Sequence, residues 1–126
     1  MNFSEASEFQ KDIKALRKRV PTILSDLQRV RPKLEALYTK RDGITEPQLR
    51  EFREQFFSGK KAARIEGSTE AIDVIKMRLD TDTDQYRTKL RLVCIVIRQG
   101  EELTFVELYS KSDKVHIDTK RVKRYL

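Results

Sequence analysis

Two strongly apolar segments separated by a short turn constrain the fold of this chain most. Residues 90–97 read LRLVCIVI, and residues 102–109 read ELTFVELY. Apolar runs of this length, rich in Val and Ile, predict neighbouring strands, and Gln-Gly-Glu at residues 99–101 predicts the turn of a hairpin. The first strand is apolar on both faces except at Arg91. The pattern therefore predicts the central strand of a sheet, with one cation inside its buried run.

Arg91 requires a negative partner, because a cation within a buried run costs free energy unless an anion or a carboxylate pairs with it. The candidates for an internal ion pair are Glu107, on the neighbouring strand, and Asp73. The alternative is an external anion, which is favoured by the basic residues that follow the second strand, Lys111, Lys114 and His116. A hairpin that directs cations to one place predicts a site for a polyanion, with RNA or DNA as the leading candidate.

The overall charge also favours a polyanion. The chain has 126 residues and a formal net charge of +7. A basic balance indicates nucleic acid or an acidic protein as the partner, although a merely solvated basic surface gives the same composition. The length predicts a single domain over residues 1–126.

Cysteine usage and apolar runs exclude several classes of protein. Cys94 is the one cysteine, so an internal disulfide and a thiolate cluster are excluded, and its apolar neighbours predict a small buried hydrophobe. We expect no metal and no cofactor. No apolar run approaches the ~20 residues that span a bilayer, and the N-terminal MNFSEASEF has no apolar signal-peptide core. We therefore expect a cytoplasmic protein without a membrane partner.

Apolar stripes at helical spacing occupy about residues 4–58. The first stripe predicts a helix that runs toward Val20, and the second predicts a helix that is kinked or split at Pro32. These two helices are predicted to form a hairpin with a strongly basic surface. A third helix over residues 47–57 is predicted to follow a cap at Thr45.

The strand pattern resumes at residues 71–79, AIDVIKMRL. Its alternation places Val74, Lys76 and Arg78 on one face of a strand. At the end of the chain, Asp118 is predicted to cap a short helix.

The order of these elements predicts an α+β fold. A short strand at residues 2–3 and the helices come first, and a polar connector over residues 60–71 leads into an antiparallel meander of three strands. We expect an N-terminal helical hairpin packed on a small antiparallel β-sheet, followed by a short C-terminal helix. The helical part covers about residues 4–58, and the sheet with the terminal helix covers about residues 71–126.

Several segments resemble the RelE/ParE superfamily of bacterial type II toxin–antitoxin systems. IKMRL resembles the family's strand with alternating basic residues, LRLVCIV its arginine-bearing central strand, LYSKSDK its common strand end and RVKRYL its closing helix. FSEASEFQKDIKAL resembles the family's first segment, whereas the stretch from roughly Arg17 to Gly67 is longer than in compact members. The resemblance implies a RelE-like fold and a toxin held inactive by a cognate antitoxin protein.

For RelE-like members, the resemblance implies an mRNA endoribonuclease that acts on the ribosome without a metal ion and inhibits translation and growth. Such enzymes promote attack of the 2′-hydroxyl on the adjacent phosphate. The chemistry requires a base, an acid and cations that stabilise the developing charge on the phosphate. The positions that match the family's catalytic cations are Lys76, Arg78, Arg91 and Lys114.

The chain departs from the family at one proton-transfer group. The tyrosine of some RelE-like enzymes falls, without gaps, at Asp118, which fits a helix cap better. His116 is the candidate replacement, because an unperturbed histidine has a pKa of ~6.5; Tyr109 is assigned to either the core or a stacking surface. The predicted catalytic residues are Arg91, Lys114, His116, Lys76 and Arg78. The predicted RNA-binding residues are Lys76, Arg78, Lys89, Arg91, Lys111 and Lys114.

Two other functions are compatible with the same fold. A ParE-like toxin would inhibit DNA gyrase, and the long basic helical hairpin would then carry the recognition. A non-catalytic binding module would have neither activity. Cut mRNA would indicate the ribonuclease, and gyrase-linked DNA breaks would indicate the ParE-like toxin. The absence of a growth defect would indicate the binding module.

Overall fold

A five-stranded mixed sheet with helices against both of its faces forms the protein. The structure is a computed structural model that describes residues 1–99 and 101–126. Gly100, in the predicted hairpin turn, lies outside the described residues. Within them, the elements are α1 (Ser7–Leu16), α2 (Ile23–Glu35), α3 (Glu46–Ser58), α4 (Thr119–Lys123), β1 (Asn2–Glu5), β2 (Ala62–Arg64), β3 (Ile72–Arg78), β4 (Leu90–Ile97) and β5 (Glu102–Ser110). The predicted α+β class is thus confirmed.

The sheet is not purely antiparallel, so this part of the predicted fold is wrong. The strand order is β1-β5-β4-β3-β2, and β1 pairs with β5 in parallel while the other neighbours are antiparallel. The long connection through the helices lets the chain return beside β1 in the same direction, which a hairpin connection would not allow. Strand β2 is a second correction, because it lies within the predicted polar connector and pairs through Ala62 with Met77.

Two apolar clusters cover opposite faces of the sheet. The first lies under α1, α2 and α3, and we call this side the three-helix face; Phe9 on α1 stacks there on Phe105 of β5, with ring centres 5.4 Å apart. The second cluster lies under α4, and we call this side the α4 face; Val122 of α4 packs there with Val93 and Val106. Cys94 lies in the first cluster with no exposed surface, which confirms its prediction as a buried hydrophobe.

The helices follow most of the sequence signals. Helix α1 ends at Leu16, earlier than predicted, although Val20 is still buried. Helix α2 continues through Pro32 to Glu35, so the predicted splitting of this helix is wrong. Helix α3 begins as predicted, because the Thr45 hydroxyl accepts a hydrogen bond from the backbone of Gln48 and the Gln48 side chain accepts one from the backbone of Thr45. The packing of the first two helices as a hairpin stays a prediction.

A bulge in β5 changes which side chains reach the α4 face. Val93 pairs with Glu107, but the next residue of β4, Cys94, pairs with Phe105, so Val106 is an extra residue. Such a bulge re-aims the side chains around it. Val106 packs in the α4-face cluster and Glu107 bonds to the segment before α4, while Phe105 and Leu108 pack under the helices.

The described residues contain neither a membrane-spanning helix nor a cluster of metal-ligating side chains. In residues 1–99 and 101–126, no helix has the length and apolar character needed to cross a bilayer. The same residues contain no group of three or more His, Cys, Asp or Glu side chains placed to hold a metal ion.

Candidate functional site

Three residues on neighbouring strands form a row across the α4 face. Arg78 of β3 is the register partner of Arg91 of β4, and Arg91 is the register partner of Tyr109 of β5. Directly opposed side chains in antiparallel strands have Cβ atoms about 5 Å apart. We call these residues the arginine row. It brings two of the predicted catalytic cations beside a tyrosine.

Arg91 is buried, and it has no negatively charged partner among the residues that the structure describes. Arg91 is 9% exposed. Its Nη1 donates to the carbonyl oxygens of Thr88 at 3.0 Å and Leu90 at 3.1 Å. No carboxylate lies within ion-pair distance of it in the part of the chain that the structure describes. Burial, and then repulsion by Arg78, lower the pKa of the Arg91 guanidinium. Both are costs that a bound anion would offset.

The predicted internal ion pairs of Arg91 are therefore wrong, and the two carboxylates have other partners. Glu107 binds Lys114. Asp73 pairs in register with Val96, a residue of the first cluster, and accepts a hydrogen bond from the Tyr38 hydroxyl at 2.6 Å. Its other oxygen lies 2.6 Å from Nε of Arg64. Asp73 thus forms its hydrogen bond and its ion pair on the three-helix face, away from Arg91.

The hydroxyl group of Tyr109 has no hydrogen-bond partner in the described part of the chain. The residue is 5% exposed, and its buried hydroxyl makes no hydrogen bond to any of the described residues. Buried hydroxyl groups are normally hydrogen-bonded, so each exception in a native fold requires a reason. Burial, and then the charge of Glu107, raise the pKa of Tyr109. The hydroxyl therefore keeps its proton at neutral pH and is available as a donor.

Lys114 lies against the row but is bound within the protein. Its ammonium lies 2.5 Å from Oε2 of Glu107 and 5.0 Å from the centre of the Tyr109 ring. Glu107 is 2% exposed, and its other oxygen accepts a hydrogen bond from the backbone N–H of Asp118 at 2.8 Å. The Asp118 side chain in turn accepts from the backbone N–H of Arg121, which confirms the predicted cap of α4. One buried carboxylate thus holds both Lys114 and the start of α4.

Lys76 and His116 line a cleft next to α4. Lys76 lies two residues before Arg78 on the same face of β3. The cleft has a volume of about 820 Å³, and its apolar wall includes Ile65, Ile117 and Val122. His116 is exposed there, at the end of the loop that carries Lys114. The structure therefore groups His116 with Lys76, which lies two residues along β3 from the arginine row.

Lys89 and Lys111 lie just beyond the row at the end of the β4–β5 pair. The backbone N–H of Lys111 donates to the carbonyl oxygen of Lys89 at 2.6 Å, and both side chains are exposed. The Lys89 ammonium lies 5.9 Å from the centre of the Tyr86 ring, which packs on the three-helix side. These two predicted RNA-binding residues extend the basic surface but do not join the buried row.

Sequence reasoning missed two groups that define the site, the hydroxyl of Tyr109 and the carboxylate of Glu107. The sequence predicts Tyr109 in the core or on a stacking surface, and it offers Glu107 as a candidate partner of Arg91, not of Lys114. The sequence feature that indicates these two groups is an acidic residue, Glu107, two positions before Tyr109 at the end of an apolar strand.

Comparison with protein-family models, curated proteins and solved structures gave no match to this chain. The features that bear on its function are therefore the buried Arg91, its neighbour Arg78, the unpartnered Tyr109 hydroxyl and the cleft that holds Lys76 and His116.

Proposed function

We propose that the chain is a RelE/ParE-type toxin that cleaves mRNA on the ribosome without a metal ion and thereby stops translation. One observation carries the proposal: Arg91 is buried next to Arg78 with no carboxylate partner among the described residues. The RelE-like packing of α1 and α2 as a hairpin on the sheet belongs to the same proposal.

A phosphate group satisfies the requirements of the arginine row. Two neighbouring guanidinium groups repel each other, and a phosphate between them reverses the sign of that interaction. Guanidinium groups also match the oxygens of a phosphate by paired hydrogen bonds, which an ammonium does not do. The net charge of +7 favours a polyanion over an isolated small anion. An RNA strand that places one phosphate at the arginine row supplies both an anion between the two guanidinium groups and the negative charge of a polyanion.

The proposed reaction is an internal transfer of the phosphate. The 2′-oxygen attacks the adjacent phosphorus, the bond to the 5′-oxygen breaks, and a 2′,3′-cyclic phosphate and a 5′-hydroxyl are formed. The imidazole of His116 takes the proton of the 2′-hydroxyl, and the Lys114 ammonium gives a proton to the leaving 5′-oxygen. Arg78 and Arg91 stabilise the extra charge on the phosphate oxygens. Solvent then returns both side chains to their starting protonation.

The cleft beside α4 supports this arrangement, because it offers room next to the row for a nucleoside. Lys76 belongs both to the face that carries Arg78 and to the wall of the cleft. A strand with its phosphate at Arg78 and Arg91 would place a neighbouring sugar and base toward Lys76 and His116. Apolar walls with a few polar groups are the usual composition of such pockets.

The test compares induced expression of the wild type, Arg91→Gln and Arg91→Ala. The expected result is growth arrest with cut mRNA ends for the wild type and loss of both for the two variants. Arg87→Gln is the matched control, because Arg87 is an exposed arginine nearby whose partner is Asp84. Ends are mapped on total mRNA, and gyrase activity is assayed in the same cells.

Three results would contradict the ribonuclease. Growth arrest with intact mRNA excludes it. Gyrase-linked DNA breaks in those cells would instead assign the ParE-like function. Normal growth on expression of a folded wild-type chain would assign a non-catalytic binding module.

The proposed partner is an antitoxin that covers the basic α4 face. The unpaired cations there favour an acidic segment, because charge complementarity steers and orients such complexes. Coexpression of an antitoxin encoded by a small gene next to this one should restore growth. Loss of that rescue when acidic residues of its product are neutralised would support docking on this face.

A further inference from the structure

We infer that the Tyr109 hydroxyl is a third phosphate-binding group of the site, donating a hydrogen bond to a non-bridging oxygen of the phosphate held by Arg78 and Arg91. The inference rests on the proposed ribonuclease function. It concerns a residue outside the predicted catalytic and RNA-binding sets.

The first support is the unused hydroxyl itself. A buried tyrosine hydroxyl without an acceptor loses its bonds to water and gains nothing in exchange, so phenylalanine would be the more stable residue here. The hydroxyl of Tyr109 has no acceptor among residues 1–99 and 101–126. A tyrosine in such a place indicates a ligand that supplies the missing acceptor.

The second support is the position of Tyr109 in the sheet. It is the register partner of Arg91, which is itself the partner of Arg78. The nearby carboxylate does not serve as its acceptor: Glu107 bonds to Lys114 and to the backbone of Asp118, and the Tyr109 hydroxyl makes no hydrogen bond to any described residue. The Tyr109 hydroxyl therefore lies in the same row as Arg78 and Arg91, the two cations for which we propose a bound phosphate.

The third support is the protonation state. Burial raises the pKa of Tyr109, so the phenol remains a donor across the neutral range. A phosphate that accumulates charge as the 2′-oxygen attacks accepts a stronger hydrogen bond than it does in the ground state. Such a donor therefore accelerates the reaction by binding the transition state more tightly.

Lys114 is the flexible side chain that lies against the Tyr109 ring. Its ammonium packs on the Tyr109 ring and is shared with Glu107. A bound phosphate competes with Glu107 for that ammonium. A lysine released in this way turns toward the leaving oxygen of the phosphate and no longer covers the face of the Tyr109 ring, on which its ammonium rests without ligand.

The test is Tyr109→Phe, which removes one oxygen and keeps the ring. Purified full-length protein is assayed with programmed ribosomes in a single turnover, and the melting temperature is measured with and without inorganic phosphate. We expect cleavage about 10²-fold slower, as for loss of one oxyanion donor. The melting temperature without phosphate should be unchanged or higher, and the rise caused by phosphate should be smaller than in the wild type.

Tyr125→Phe is the matched control, because Tyr125 is a partly buried tyrosine against the same apolar cluster. It should cleave at the wild-type rate. Arg91→Gln separates the inference from the function on which it rests. If Arg91→Gln stops cleavage while Tyr109→Phe cleaves normally, the inference fails and the ribonuclease stands.

Other outcomes are equally decisive. One such outcome is that the wild type fails to cleave while phosphate still raises its melting temperature. If Tyr109→Phe and Arg91→Gln then lose that rise, the inferred contact between Tyr109 and phosphate is supported and the ribonuclease function is excluded. If Tyr109→Phe lowers the melting temperature and activity falls only in proportion to the unfolded fraction, the hydroxyl is structural and the inference is overturned.

Discussion

Tyr109 lies directly opposite Arg91 because β5 contains one residue more than β4 requires. Near the turn, Ile97 pairs with Glu102, and this register continued without interruption would pair Arg91 with Leu108. The extra residue, Val106, shifts the pairing so that Arg91 meets Tyr109 instead. Because side chains alternate between faces, a shift of one residue moves Tyr109 from the three-helix face to the α4 face.

The two buried tyrosines should respond in opposite ways to loss of their hydroxyl groups. Tyr38 donates to the buried carboxylate of Asp73, whereas Tyr109 has no partner in the described part of the chain. We expect Tyr38→Phe to lower the free energy of unfolding by about 1.5–3 kcal/mol, the usual range for a hydrogen bond to a charged group. Tyr109→Phe should leave it unchanged or raise it.

Urea unfolding followed by far-ultraviolet circular dichroism measures this difference between Tyr38 and Tyr109. Equal destabilisation by the two substitutions would mean that the Tyr109 hydroxyl also has a stabilising partner. That result would remove the main structural argument for its role in binding phosphate.

Much of the sheet was predictable, because its strands are coded by local alternation. The bounds of β4 are as predicted, and Ile75 and Met77 face the helices while Lys76 and Arg78 do not. Parts of the site were not predictable, because they depend on pairing across the sheet. The bulge at Val106 decides the neighbour of Arg91, and no single-strand pattern reveals it.

The corrected elements have the same physical origin. The direction of β1 depends on where the chain returns after three helices, not on the residues of Asn2–Glu5. Strand β2 has only three residues and forms an edge, too short for alternation to be recognised. The partner of Glu107 is set by the loop that carries Lys114 back over the sheet. Contacts of this kind arise from tertiary structure.

Glu107→Gln should loosen the segment between β5 and α4. The substitution removes the charge that holds Lys114, although the amide oxygen can still accept from the backbone of Asp118. We expect a loss of about 1–2 kcal/mol, at the lower end for a charged hydrogen bond because Lys114 is partly exposed. Glu102→Gln, on an exposed residue of the same strand, should change stability by less than about 0.5 kcal/mol. Equal unfolding midpoints for the two variants would contradict the anchoring role of Glu107.

Arg121 should be the main attachment of α4 to the rest of the molecule. Its guanidinium donates to Asp12 at 2.5 and 3.3 Å and to the carbonyl oxygen of Val106 at 3.0 Å. Arg121→Ala should therefore cost about 1.5–3 kcal/mol and speed amide hydrogen exchange in α4. Lys120→Ala is the control, since Lys120 is exposed on the same helix. Unchanged exchange in α4 would show that the packing of Val122 and the bond from Asp118 to Glu107 hold the helix without Arg121.

The cap of α4 should make part of the stability depend on pH. The backbone N–H of Arg121 donates to Asp118, and this bond, followed by nearby positive charges, lowers the pKa of the carboxyl group. A lowered pKa in the folded state means that the stabilisation is present above the ordinary pKa of about 3.9 and is lost as the pH falls through the folded value. Asp118→Ala should cost about 1 kcal/mol at pH 7, typical of a cap.

Asp118→Asn separates the cap from its charge, because asparagine also caps helices but does not titrate. The difference in unfolding free energy between the wild type and Asp118→Ala should shrink when the pH is lowered below the folded pKa of Asp118. The difference between Asp118→Asn and Asp118→Ala should stay nearly constant over the same range. If the first difference does not change with pH, the carboxylate charge contributes nothing to the cap, and only its hydrogen-bond geometry holds the start of α4 beside Lys114 and Glu107.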